Sequence, residues 1–138
     1  MRLFDIQGRS VSKNVSKYLV DWSKPCRSKI QTKVKNFFED YWCNHICYEE
    51  FPVFGSRMKV DLVNMTKKIA VEVQGEQHDS FNKFFHNNSR SNYLKSIIRD
   101  QEKYKWLEMN NFKILEIKKE DLPYLNRSYI RKSFGIEI

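Results

Sequence analysis

Two β-rich runs, RMKVDLV and KIAVEVQ, are separated only by the turn-like residues NMTK, and this pattern constrains the fold more than any other feature. Short runs rich in valine and isoleucine on either side of a turn predict an antiparallel β-hairpin. The second run carries Glu72 and Gln74 at alternate positions, where a fully buried strand would carry apolar side chains. We therefore expect one face of the hairpin to cover a core and the other to be available for polar chemistry.

The register of the hairpin decides whether Asp61 shares a face with these polar residues. With the turn centred between residues 65 and 66, Asp61 lies opposite Ala70, and Glu72 and Gln74 share its face. The two carboxylates are then diagonal neighbours, about 7–8 Å apart at the backbone, and can bind one hard cation such as Mg²⁺. The alternative is that both are solvent-facing or salt-bridged residues of a half-exposed hairpin. The opposite face would carry Val60, Leu62, Ile69, Val71 and Val73.

The segments on either side of the hairpin predict an α+β fold. SKIQTKVKNFFEDYW has apolar residues at helical spacing, and Ser28 followed by Gln31 is a capping-box pattern that begins the helix. ICYEEFPVFG predicts a strand, YLKSIIRDQEKYKWLEMNN a long helix, and FKILEIK a last strand. The predicted order is αβββαβ, which indicates a mixed sheet flanked by helices.

Charge and length restrict the class of protein. A chain of 138 residues with 41% hydrophobic residues is long enough for one compact core. Residues 1–27 are basic and carry turn signals, so we expect an N-terminal arm or hairpin attached to a main domain at 28–138. The net charge of +8 favours a polyanionic partner. No segment has the apolar core of a signal peptide or a membrane span, so we expect a cytoplasmic protein without a membrane partner.

Cysteine and histidine alternate in CNHIC, residues 43–47, which raises the alternative of a zinc site. Alternate residues of one strand present ligands in a row that does not surround a tetrahedral ion. We therefore expect free, partly buried thiols instead.

The long helix carries a carboxylate within its core-facing stripe. Tyr93, Ile97, Asp100, Tyr104 and Leu107 recur at helical spacing, and a carboxylate on such a stripe needs a partner. Asp100 would either form a structural pair with a tyrosine hydroxyl or a lysine, or support the carboxylate site on the hairpin.

KVDLVNMTKKIAVEVQGEQHD, followed by RDQEKYKWLEMNNFKILEI, resembles the PD-(D/E)XK nuclease superfamily, and is most similar to its small members related to very-short-patch repair and phage homing-type endonucleases. The similarity extends from about Ser28 to Lys118. The resemblance implies a restriction-endonuclease-like αβββαβ core and cleavage of double-stranded DNA that depends on Mg²⁺ or Mn²⁺. It also implies that Asp61, Glu72 and the carbonyl of Val73 bind the metal.

The sequence departs from the family pattern at two positions: Val60 replaces a proline, and Gln74 replaces a lysine. An amide cannot act as a general base, but it can orient a water molecule. Lys103 or Lys105 of the long helix could supply the missing ammonium group. The alternative is a non-catalytic DNA-binding module on the same scaffold.

Several further residues are candidates for the site. Gln31 occupies the position of a metal-shell glutamate in many relatives, although helix capping also explains it. Of Glu49 and Glu50, adjacent on one strand, at most one can face the metal. His78 follows the second hairpin strand in a loop that could reach the scissile phosphate. An RNA-directed nuclease is a further alternative. The sequence does not separate DNA from RNA as the substrate, because no RNA-binding signature is visible.

Basic and amide side chains of the arm and of the polar loop are candidates for contacts with DNA phosphates or bases, although a solvated surface is the alternative. These residues are Arg9, Lys13, Lys17, Arg27, Lys83, Asn87, Asn88 and Arg90. Phe134, Ile136 and Ile138 of the C-terminal tail favour a homo-oligomer if they are exposed. The tail could equally fold back over the sheet of its own domain.

Overall fold

The computed structural model describes residues 1–75 and 90–138. The strands there are β1 (Arg2–Phe4), β2 (Ser10–Ser12), β3 (Cys47–Pro52), β4 (Lys59–Asn64), β5 (Ile69–Gln74) and β6 (Lys113–Lys118). The helices are α1 (Lys29–Trp42), α2 (Arg90–Met109) and α3 (Arg127–Phe134), with 3-10 turns at Ser16–Tyr18 and Lys119–Tyr124. From α1 to β6 the order is αβββαβ, which confirms the predicted α+β fold.

Four strands form a mixed sheet in the order β3-β4-β5-β6. The first three are antiparallel to one another, and β6 is parallel to β5. The parallel connection follows from α2, which carries the chain back so that β6 starts at the same end of the sheet as β5. The predicted mixed sheet flanked by helices is therefore confirmed.

The β4-β5 turn lies one residue later than predicted, centred between residues 66 and 67, because Leu62 pairs with Val71 and Asn64 with Ile69. The Asn64 side chain accepts the N–H of Lys67 at 2.9 Å, and Lys68 adopts a left-handed φ of 59°. A whole-residue displacement of the turn centre leaves the two faces unchanged. When this pairing is extended by one residue on each strand beyond Leu62 and Val71, Asp61 lies directly opposite Glu72 and not diagonal to it.

The sheet is covered by apolar clusters on both faces. One cluster joins α1 and α3 to the sheet through Val34, Phe38 and Ile130, and it includes four of the five predicted aliphatic residues: Leu62, Ile69, Val71 and, at its margin, Val73. The other cluster joins α2 and the β1-β2 hairpin to the sheet. Val60 belongs to this second cluster, so its predicted position beside Leu62 is wrong.

The N-terminal hairpin is bound to α2 and to the turn between β3 and β4. Strands β1 and β2 pair antiparallel, and Leu3 is buried in the cluster of Trp106 and Phe54. The indole N–H of Trp106 donates to the carbonyl of Phe4 at 2.6 Å, and Asn110 Oδ1 accepts the N–H of Phe4 at 2.8 Å. The hairpin thus shares a core with the sheet, and the domain boundary at residue 27 stays a prediction.

The C-terminal tail folds back onto its own domain. Ile136 and Ile138 are buried, and Phe134 packs against the same α1-facing cluster. Of the two outcomes expected for the tail, folding back over its own domain is confirmed, and a homo-oligomer stays a prediction without support from the tail. None of the helices in the described part of the chain is long and apolar enough to cross a bilayer.

Helix α2 contacts the sheet mainly through its C-terminal half. Trp106 and Leu107 are buried and Tyr104 is half-buried, as the predicted stripe requires. Ile97 is 37% exposed, so the described residues do not bury the predicted stripe at this position. The side chain of Tyr93 lies outside the described residues.

Candidate active site

The predicted site residues converge on one cavity of about 600 Å³. It lies where the start of α1, the C-terminal end of β5 and the middle of α2 meet. Five of the six predicted catalytic residues line it, namely Gln31, Asp61, Glu72, Gln74 and Asp100. The sixth, His78, lies outside the described residues. The structure thus brings five of the predicted residues together, and the roles assigned to them stay predictions.

Asp61 and Glu72 form a carboxyl pair in the wall of this cavity. Asp61 Oδ2 accepts the backbone N–H of Val73 at 2.8 Å, and this bond fixes the side chain against β5. Glu72 is only 5% exposed. Burial, and then the charge of Asp61, raise the pKa of Glu72 from its ordinary 4.5 to about 8. Burial also raises the pKa of Asp61, although the bond from Val73 partly offsets this.

A lysine from α2 partly compensates the charge of this pair. Lys103 Nζ lies 3.0 Å from Glu72 Oε1, and the two side chains are 16% and 7% exposed. The positive charge of Lys103 lowers the pKa of Glu72, but by less than burial and the charge of Asp61 raise it. Of the two lysines considered from the sequence, Lys105 is exposed and does not line the cavity. An ammonium group is thus present in the site, and it comes from α2.

The start of α1 brings Gln31 into the site. Ser28 Oγ accepts the N–H of Gln31 at 3.2 Å, which confirms the predicted helix start. The Gln31 side chain does not return to Ser28, since its Nε2 donates to Glu50 Oε1 at 3.0 Å. The Gln31 side chain therefore does not complete the predicted capping box, and its role in the site stays a prediction.

Glu49 and Glu50 point in different directions, as predicted for adjacent strand residues. Glu49 forms an ion pair with Lys35 at 2.7 Å. Glu50 has a left-handed φ of 49°, and its charge contributes to the raised pKa of Asp61. Of the two, Glu50 is therefore the one oriented toward the site.

Gln74 is held by a chain of polar groups behind the cavity. Its Nε2 donates to the Tyr104 hydroxyl at 3.4 Å, and that hydroxyl donates to Glu116 Oε2 at 2.9 Å. Burial raises the pKa of Tyr104, so the phenol keeps its proton and can donate it. The amide oxygen of Gln74 is its hydrogen-bond acceptor and can accept a hydrogen bond from a water in the cavity.

Asp100 lines the cavity, and two of the described side chains that could pair with it are bonded elsewhere. The Tyr104 hydroxyl donates to Glu116, and Lys103 pairs with Glu72. The side chain of Tyr93 lies outside the described residues, so both roles expected for Asp100 stay predictions.

The predicted DNA-contacting residues of the arm are exposed, but none of them lines the cavity. These are Arg9, Lys13, Lys17 and Arg27. Lys119, which the sequence did not suggest, lines the cavity together with Lys103. Lys83, Asn87 and Asn88, and the side chain of Arg90, lie outside the described residues.

The donors of this site suit a hard divalent cation. Asp61 and Glu72 are carboxylates, and buried carboxylates with raised pKa values gain most from a cation that offsets their charge. Within residues 1–75 and 90–138, no group of three or more His, Cys, Asp or Glu side chains is arranged to bind a metal. The CNHIC residues do not converge either, since Cys47 is buried, Cys43 is exposed and His45 contacts Asn64.

Comparisons with known proteins add little to this description. No family model and no solved structure matches the chain. A similar curated protein is Uncharacterized protein 033L of Invertebrate iridescent virus 3, which is 32% identical over 66 residues, or 48% of this chain. The matched region is 34% of that protein, so the chain spans about a third of the relative's length.

Proposed function

We propose that this protein is a metal-dependent endonuclease that hydrolyses phosphodiester bonds of double-stranded DNA, as the resemblance to PD-(D/E)XK nucleases implies. One observation carries the proposal: Asp61 and Glu72 lie opposite each other in a cavity, and both have raised pKa values because they are buried. Burial of two acidic groups side by side costs folding free energy, which favours a functional role over a structural one.

Asp61, Glu72 and the carbonyl of Val73 would bind Mg²⁺ or Mn²⁺. When bound, the cation would supply positive charge to offset the charge that develops on the phosphodiester during hydrolysis. Asp61 would approach the cation in a fixed orientation, because the Val73 N–H donates to one of its oxygens.

The remaining residues of the cavity orient water and compensate charge. The Gln74 amide oxygen would accept a hydrogen bond from the attacking water, while Tyr104 holds the amide in place. Gln74 cannot remove the proton itself. Lys103 provides a positive charge next to the carboxylates, and Asp100 lies in the cavity wall beside it.

DNA affinity would come from the basic surface instead of the acidic cavity. The net charge of +8 and the exposed residues of the arm, such as Lys17 and Arg27, would contact phosphates. The enzyme would act in the cytoplasm, that of a bacterial host if a phage or another mobile element encodes it.

One carboxylate pair cuts one strand at a time, so the assembly determines the product. A double-strand break requires two sites that face opposite strands, most simply in a symmetric dimer. The buried tail removes the specific reason to expect that dimer. Sedimentation velocity at several concentrations, together with the ratio of nicked to linear plasmid, would separate a monomeric nickase from a dimer.

The test is cleavage of supercoiled plasmid DNA by the purified protein, either with MgCl₂ or with EDTA. A MgCl₂ concentration of about 10 mM is enough to saturate a weak Mg²⁺ site. We expect cleavage only with Mg²⁺, and none by Asp61→Ala. Asp40→Ala, which removes an exposed carboxylate of α1, is the matched control and should cleave normally.

Binding separates the two DNA-related functions. Asp61→Ala should bind duplex DNA at least as tightly as the wild type, because it removes negative charge facing the phosphates. Equal cleavage by Asp61→Ala and Asp40→Ala would contradict the endonuclease assignment. Tight binding with no cleavage by the wild type would favour the non-catalytic module, which the glutamine at position 74 supports. A parallel titration with duplex RNA would test the RNA alternative.

A further inference from the structure

Lys103 occupies the place beside Glu72 where a divalent cation would also have to bind. Its Nζ lies 3.0 Å from Glu72 Oε1, and both side chains are almost completely enclosed. The lysine comes from the middle of α2, whereas the carboxylates come from β4 and β5. Metal and ammonium would therefore compete for the same carboxylate from different sides of the cavity.

We propose that Lys103 is a built-in counter-ion that competes with the divalent cation for Glu72 and thereby sets the metal affinity of the site. This inference rests on the metal site of the proposed function. One ammonium offsets one of the two carboxylates, so the pair is only partly neutralised without metal. A divalent cation at Glu72 is repelled by the ammonium next to it until Lys103 moves away.

Asp100 gives the displaced lysine a second partner. It precedes Lys103 by three residues on α2, and residues at this spacing are neighbours on a helix surface, about 5–6 Å apart at Cβ. Both side chains line the same cavity. Lys103 can therefore exchange Glu72 for Asp100 by rotating its flexible stem, without any movement of the helix.

The exchange would also explain why the carboxyl group of Asp100 lies in the cavity wall. With Lys103 held by Asp100, the ammonium stays in the cavity, where it would be available to a substrate phosphate. Lys103 is thus a positioning residue for Glu72 in the metal-free protein.

The test measures Mn²⁺ binding directly, by electron paramagnetic resonance of the free ion, without DNA. We expect Lys103→Met to bind Mn²⁺ about tenfold more tightly than the wild type, the size expected for removing one unit charge a few ångströms from a cation in a half-buried site. Lys105→Met is the matched control, since it removes the same charge from an exposed position on α2. It should change the affinity less than about twofold, because an exposed charge is screened.

A second variant, Lys103→Gln, guards against a folding defect of Lys103→Met and should also bind Mn²⁺ more tightly. Far-ultraviolet circular dichroism would establish that each variant is folded. Equal Mn²⁺ affinity of the folded Lys103 variants and of Lys105→Met would overturn the inference.

Failure of the inference and failure of the proposed function give different results. If neither the wild type nor the Lys103 variants bind Mn²⁺ at millimolar concentration, both the metal site and the competition are wrong. If Lys103→Met binds more tightly but no protein cleaves DNA, the competition stands and the endonuclease proposal fails.

Discussion

Glu72 should make the metal-free protein less stable as the pH rises, and Glu72→Gln should remove that effect. The folded-state pKa is about 8, whereas the ordinary value is 4.5. The folded protein therefore keeps the proton at pH values where the unfolded chain has released it. Raising the pH from about 4.5 to 8 favours the unfolded state, so the contribution of Glu72 to stability is present at low pH and is lost across this window.

The size of the effect follows from the difference between the two pKa values. Each pH unit corresponds to about 1.4 kcal/mol, so the full difference amounts to roughly 3–5 kcal/mol of unfolding free energy. Glutamine has nearly the same size but cannot ionise. The substitution leaves Lys103 without its ion pair at every pH. This changes the unfolding free energy by the same amount at each pH and does not change its dependence on pH.

Urea denaturation in EDTA at pH 5, 6.5 and 8 would measure this slope for each protein. We expect Glu72→Gln to gain roughly 3–5 kcal/mol relative to the wild type between pH 5 and pH 8. Glu102→Gln, which neutralises an exposed carboxylate of the same helix as Lys103, is the control and should follow the wild type. If the wild-type and Glu72→Gln curves stay parallel, the carboxyl group of Glu72 is not desolvated as described.

Three further substitutions test individual contacts. Gln74→Ala should reduce Mg²⁺-dependent plasmid cleavage by about 10²–10⁴-fold without lowering the melting temperature. An unchanged cleavage rate would show that Gln74 takes no part in catalysis. Asp100→Asn should reduce cleavage with little change in melting temperature; a large loss of stability would instead indicate a structural pair. Ser28→Ala should cost about 1 kcal/mol in urea denaturation, because it removes the acceptor for the Gln31 N–H, and no loss would show that the cap is not needed.

The hairpin was predictable because alternation along a strand is a local property. Asp61 and Glu72 share a face in any register in which the turn centre moves by whole residues, so the prediction survived an incorrect turn position. The turn itself was not predictable, since it depends on the Asn64 side chain and on a left-handed Lys68. A lysine in this conformation carries no sequence signal comparable to that of glycine.

The contribution of Lys103 could be suspected from the sequence but not established. Whether its ammonium reaches Glu72 depends on how α2 is rotated on the sheet, and that rotation is set by the burial of Trp106 and Leu107. The predicted stripe gave the correct phase for the C-terminal half of the helix and failed at Ile97. The burial of the tail is likewise a tertiary property, which an apolar composition permits but does not determine.

The carboxyl pair of Asp61 and Glu72 lowers the stability of the folded protein when both groups are ionised, so a cation that binds the pair should raise the stability. At pH 8, which is close to the pKa of Glu72, about half of the Glu72 side chains are ionised beside Asp61 and Lys103 supplies one positive charge. A divalent cation that binds only the folded protein would favour the ionised pair and offset its remaining charge. At 100 times its dissociation constant, such a cation raises the unfolding free energy by about 2.7 kcal/mol. We therefore expect MgCl₂ to raise the melting temperature of the wild type above that in NaCl of equal ionic strength, and to leave Asp61→Asn unchanged. An equal rise in both proteins would mean that Mg²⁺ acts elsewhere on the surface, since Asp61→Asn keeps the shape of the cavity and removes only one of the charges that would bind it.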